Sequence, residues 1–78
     1  MTETRVAILQ DGARIRQLRK ARLKIDDEQF AARLGIRSAS LRNIEGNRKP
    51  ISLALMIKIA GELNEPVDGL LRKAKVAA

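Results

Sequence analysis

The feature that most limits what this chain can fold into is the run F-A-A-R-L-G-I at residues 30–36. Phe30, Ala31 and Leu34 recur at helical spacing, and Gly35 follows Leu34 directly. A glycine placed there reads as a left-handed C-cap, so the helix stops at Leu34 and the chain turns sharply. Ile36 then returns to the core, and a second helical pattern begins at Ser38, with Leu41 and Ile44 facing inward. Two short helices joined by so few residues cross at a steep angle, and one face of the second helix, residues 37–45, stays unburied.

The rest of the chain supplies helices to pack against this pair. Residues 12–23 form an expected first helix, with Ile15, Leu18 and either Arg22 or Leu23 on a narrow apolar face. Asp26, Asp27 and Glu28 open the second, because acidic side chains cap free amides and complement the dipole there. Gly46 and Asn47 begin a basic turn that runs to Pro50, and both tolerate positive φ. Ser52 caps a fourth helix at 53–63, with Leu53, Met56, Ile59, Ala60 and Leu63 as its core face; Asn64 and Pro66 end it. Val67, Leu70 and Leu71 make a short fifth. The expected fold is therefore all-α with five helices and a short N-terminal extension. The expected divisions are an arm at 1–11, a domain at 12–71 and a basic tail at 72–78 that frays. In the arm, Val6, Ala7, Ile8 and Leu9 form an apolar knot equally readable as a strand, a helical turn or an interface arm.

Charge points to the partner. Sixteen Lys and Arg, most of them Arg, stand against nine Asp and Glu, for a net charge of +7 on 78 residues. Such a field attracts polyanions, nucleic acid first and an anionic membrane surface second. Phe30 is the single aromatic residue, so the aromatic anchors of an interfacial membrane binder are lacking. The longest apolar run, 53–57, is far too short to span a bilayer. With no His, Cys or Tyr, the usual acid–base and nucleophile sets of an enzyme are missing, and no metal-ligand spacing or cofactor motif is present. The absence of Cys and of a signal-like leader makes cytoplasm the expected location.

A lone α-helix fits the major groove of B-DNA, so the free face of 37–45 is the expected reader. Asn43 can bond an adenine edge, Arg42 can fork onto guanine, and Ala39 can touch a thymine methyl. Arg37, Arg48 and Lys49 would set affinity and register on phosphate, joined by Ser40 and, from the second helix, Arg33. Arg14, Arg16, Lys20 and Arg22 read as solvent-facing charge that keeps the domain soluble.

The order of residues in F-A-A-R-L-G-I-R-S-A-S-L-R-N-I-E-G-N-R-K-P, at 30–50, resembles the lambda-repressor and Cro-like family, also called the xenobiotic-response-element family. G-A-R-I-R-Q-L-R before it looks like the family's first helix, and S-L-A-L-M-I-K-I-A-G-E-L with P-V-D-G-L-L like its last two, so the resemblance covers 12–71. It implies that Ala31, Gly35, Ile36 and Ile44 fix the helix crossing. It also implies a structural ion pair between Arg19 and Glu45, read as a surface pair contributing only ~0.2–1 kcal/mol. Ser38, Ala39 and Asn43 match base-reading positions, with Arg42 beside them, and Arg48 and Lys49 match the phosphate-gripping loop.

The departures are specific. Asp26-Asp27 stands where the family has Ser or Thr followed by a DNA-contacting Gln, and an aspartate facing phosphate would repel it. Arg37 stands at the cap of the reading helix, where Ser38 is the alternative cap and would shift the readout by one position. The stretch 23–25 is one residue longer than usual, and Asn47 replaces the loop glycine.

Function is expected to follow. The resemblance implies a sequence-specific, double-stranded-DNA-binding transcriptional regulator of bacterial or phage origin. It would be a homodimeric repressor reading a pseudo-palindrome. Val6, Ile8, Leu9, Ile51, Ala54 and Leu55 are the candidate dimer seam, because an apolar patch on a small domain usually has a partner. The alternative is an antitoxin or accessory module that uses the same fold to hold a protein partner.

Overall fold

A computed structural model describes residues 7–74. Four α-helices, α1 (Gly12–Leu18), α2 (Asp27–Leu34), α3 (Ser38–Glu45) and α4 (Leu53–Leu63), surround one aliphatic core, and two four-residue strands, β1 (Ala7–Gln10) and β2 (Leu71–Ala74), close the domain. Ile15 and Leu18 of α1, Phe30 and Leu34 of α2, Leu41 and Ile44 of α3, and Met56, Ile59 and Leu63 of α4 are all buried, with Leu70 beneath them.

Three of the four helices, α1, α2 and α4, begin on side-chain caps. The Asp11 carboxylate accepts from the Arg14 amide and starts α1. Asp26 and Gln29 form a reciprocal capping box on α2: Asp26 Oδ1 accepts from the Gln29 amide at 2.8 Å and Gln29 Oε1 from the Asp26 amide at 3.2 Å. Gly35 ends α2 at φ 71°, where a side chain would be strained. The Lys58 ammonium of α4 donates to the orphan Leu34 carbonyl, tying the two helices at that end. Ser52 Oγ caps α4, and Asn64 closes it in the left-handed region. Arg22 Nη1 then reaches across to the Leu63 and Asn64 carbonyls.

Three expectations are corrected. The first helix is not uniform to Leu23: after Leu18 it widens into a π turn, Arg19–Leu23, closed by a bond from the Lys24 amide to the Arg19 carbonyl. A π turn holds more residues per turn than an α turn, and this one ends at Lys24 in the left-handed region. The expected fifth helix is only a 3₁₀ turn, Val67–Leu70, which leaves four α-helices rather than five. The fold is also not purely helical. β1 pairs antiparallel with β2 in the register Ala7↔Ala74, Ile8↔Lys73, Leu9↔Arg72 and Gln10↔Leu71, so the tail is paired as far as Ala74 instead of fraying from Arg72.

In α4 the apolar assignment shifts. Leu53, expected in the core, is 69% exposed, while Leu55, expected to point away, is half-buried against the core. Met56, Ile59, Ala60 and Leu63 are buried as expected, and only the first turn, where every residue is apolar, departs from the spacing.

Candidate nucleic-acid interface

α3 is held from behind at three points. Gly12 sits so close to the end of α3 that a Cβ there would fall on the Ile44 and Glu45 carbonyl oxygens. The Gly12 amide donates to Asn47 Oδ1 at 2.9 Å, and Asn47 takes the positive φ of the turn, 57°, while neighbouring Gly46 stays at −87°. A buried side chain that the sequence did not single out, Gln10 at the end of β1, donates through Nε2 to the Ile44 carbonyl at 3.3 Å and the Lys49 carbonyl at 2.7 Å. Periodicity gives no reason to bury a glutamine next to a strand end; the site exists because the turn after α3 offers carbonyls there.

The third point is the Arg19–Glu45 ion pair. Arg19 Nε and Nη2 donate to the two Glu45 carboxylate oxygens at 2.8 and 3.0 Å, and Nη1 donates to the Ile25 carbonyl. The side chains are only 6% and 7% exposed, so the pair is buried rather than at the surface. The hydrogen bond to Glu45 raises the Arg19 pKa above its ordinary value, against the opposing effect of burial.

The outward face of α3 then presents Ala39 and Arg42 as exposed and Ser38, Ser40 and Asn43 as half-buried. Arg37 occupies the N-cap with extended backbone and no side-chain cap bond, and Ser38 is the first helical residue rather than the alternative cap. Without a side chain over it, the amide end of α3 stays open to an anion.

Arg42 is not free on that face. Its Nε donates to Asp27 Oδ2 at 2.8 Å, joining α3 to the first turn of α2. The Arg42 guanidinium holds the Asp27 carboxyl below the usual carboxylate range, and Asp27 in turn raises Arg42. Beside the pair lies a concavity of about 340 Å³ lined by Arg16, Arg42 and Arg48 together with Asp27 and Glu45. Arg16, read from the sequence as plain solvent-facing charge, thus borders α3; its distance of 26 residues from Arg42 hides this in the sequence.

The remaining candidates are dispersed. Arg48 and Lys49 are exposed in the turn after α3. Arg33 is exposed on α2, with its guanidinium 3.6 Å from Glu62 of α4. Of the candidate seam, Leu9, Ile51 and Leu55 are half-buried within the domain and Ala54 is exposed; Val6 and the side chain of Ile8 lie outside the described residues. Among the described residues, the large apolar side chains most open to solvent are Leu53 and Ile57 at 69% and 56%.

Comparison with known proteins agrees with this arrangement. A family model described as a helix-turn-helix matches residues 15–70, which spans α1 through the 3₁₀ turn. Among curated proteins, none matches closely enough to be counted a relative.

Proposed function

Because the chain belongs to the lambda-repressor-like helix-turn-helix family, whose fold serves DNA-binding transcription regulators, we propose that it reads a specific operator with α3 in the major groove and acts as a dimeric repressor. The observation that carries this reading is the mounting of α3. Its inner face is fixed by Leu41, Ile44, the Arg19–Glu45 pair and Gln10, while Ala39 and Arg42 stay outside. A helix fixed on its inner face, whose outer face is open to solvent apart from the Arg42–Asp27 bond, is what groove readout needs, since base contacts tolerate little positional play.

In this reading Ser38, Ala39, Arg42 and Asn43 contact bases. Arg37, Ser40, Arg48 and Lys49 contact phosphate, with Arg33 from α2, and Arg16 joins them from the floor of the adjoining concavity. Two copies related by a two-fold axis would place their α3 helices about 34 Å apart, one turn of duplex. The apolar surface nearest to serving as a seam is α4, where Leu53 and Ile57 are exposed and a cavity of about 290 Å³ opens between Ile51, Met56 and Leu71.

The same exposed apolar residues favour a second reading, an antitoxin or accessory module whose α4 holds a protein partner. Selection from a randomised duplex library separates the two. The operator reading expects an enriched pseudo-palindrome with half-sites one turn apart. Retention of DNA without enrichment of any motif would sink it and leave the interaction module.

A further inference from the structure

The aspartate that departs from the family pattern is the one that holds Arg42. Asp27 is fixed at both oxygens: Oδ1 accepts from the Glu28 amide at 2.9 Å, and Oδ2 accepts from Arg42 Nε at 2.8 Å. The guanidinium carries five N–H donors in one plane, and Asp27 takes the one on Nε. Among the described residues, Arg42 Nη1 and Nη2 have no hydrogen-bond partner. Those two nitrogens form the outer fork that matches the O6 and N7 edge of guanine. Arg42 is 60% exposed, so without a tether its long side chain would sample many rotamers and lose that freedom on each binding event.

The charge of Asp27 works in a second way. A carboxylate beside the groove face repels phosphate on every sequence, whereas a guanine gains the oriented fork only where it lines up. We propose that Asp27 is a positioning and specificity-determining residue: it presets Arg42 with its outer fork toward guanine and, by its charge, weakens binding to all other sequence. This rests on α3 being the groove helix.

The test is library selection with wild-type protein, Asp27→Asn, Arg42→Ala and the double variant. It is paired with affinity for a random-sequence duplex at fixed salt and with thermal melting. Wild type is expected to show a guanine preference that Arg42→Ala erases. Asp27→Asn, which keeps the side-chain shape, is expected to flatten the same position about five- to tenfold while binding the random duplex about two- to threefold more tightly. In the Arg42→Ala background, Asp27→Asn should leave base preference unchanged, and a further variant, Asp27→Glu, which keeps the charge, should retain more of the preference than Asp27→Asn.

The proposal is overturned if Asp27→Asn, melting normally, keeps the full guanine preference, because the pair is then only a contact that opens on binding. It is overturned equally if Asp27→Asn alters a position that Arg42→Ala does not. If wild-type protein enriches no motif, groove reading itself fails and this role falls with it. A motif that appears and ignores Asp27 removes only the role of Asp27.

Discussion

At the scale of single residues, two ion pairs on neighbouring surfaces of α3 have opposite physical characters. Arg19–Glu45 is buried and bidentate, so breaking it from one side strands a charge out of water. Glu45→Ala is expected to cost about 3–5 kcal/mol in urea unfolding, whereas an Arg19→Met/Glu45→Leu double variant should cost clearly less, because no orphan charge remains. Equal costs would mean that the pair is solvated. Arg42–Asp27 is half in water, and its signature is titration instead. The folded Asp27 pKa lies below its ordinary 3.8, so the pair adds stability that is present above that value and is lost as pH falls through the lower, folded one. Between neutral pH and pH 5 the pair should therefore be insensitive. A carboxyl-detected titration should place the Asp27 midpoint below 3.8 and move it back up in Arg42→Ala. An unmoved midpoint would show that Arg42 is not what holds Asp27 ionised.

Among the elements, α3 would carry a conflict between stability and binding at its N-cap. Arg37 leaves the N-cap without a side-chain acceptor. Arg37→Ser is expected to supply one and stabilise the domain by about 1 kcal/mol. On the proposed phosphate contact of Arg37, it should also weaken DNA binding equally on all sequences and reduce the salt slope by about 1. A loss confined to one base pair would assign Arg37 to readout instead. This element also shows what the sequence could and could not disclose. The capping of α2 by Asp26, the stop at Gly35 and the inward Leu41 and Ile44 all arise from interactions within a few residues, and spacing exposes them. The β1–β2 ribbon joins residues more than sixty positions apart through four-residue strands, below the length at which alternation is readable. Burial of Gln10 and Arg19 depends on which carbonyls and carboxylates the helix crossing brings near, and no local pattern encodes that. In α4 the spacing exposed Met56, Ile59, Ala60 and Leu63, all buried, and missed only at the first turn, where leucine and alanine at 53–55 gave no local ground for choosing Leu55 over Leu53 as the packed residue.

For the whole molecule, the net charge of +7 and the exposed apolar side chains of α4 make one joint prediction. Binding to duplex DNA releases counterions, and the observed constant falls with salt at a log–log slope of about −0.9 per phosphate neutralised. The five cations assigned to phosphate, Arg16, Arg33, Arg37, Arg48 and Lys49, therefore set a slope of about −4 to −5 for one domain and about −8 to −10 for a two-fold pair. The slope thus counts domains on the DNA without knowledge of the operator sequence. If Leu53 and Ile57 form the seam, wild-type protein should show the larger value. A Leu53→Asn/Ile57→Asn variant, which changes no charge and touches exposed positions only, should show the smaller one with its melting temperature nearly intact. Sedimentation of the two proteins without DNA gives the independent check. A wild-type slope near −4 to −5 with a monomeric sedimentation profile would remove the dimer and leave α4 free for another protein. A slope near −8 to −10 in both proteins would keep the dimer and move its seam off α4, toward the strand that Leu9 and Gln10 share with the tail.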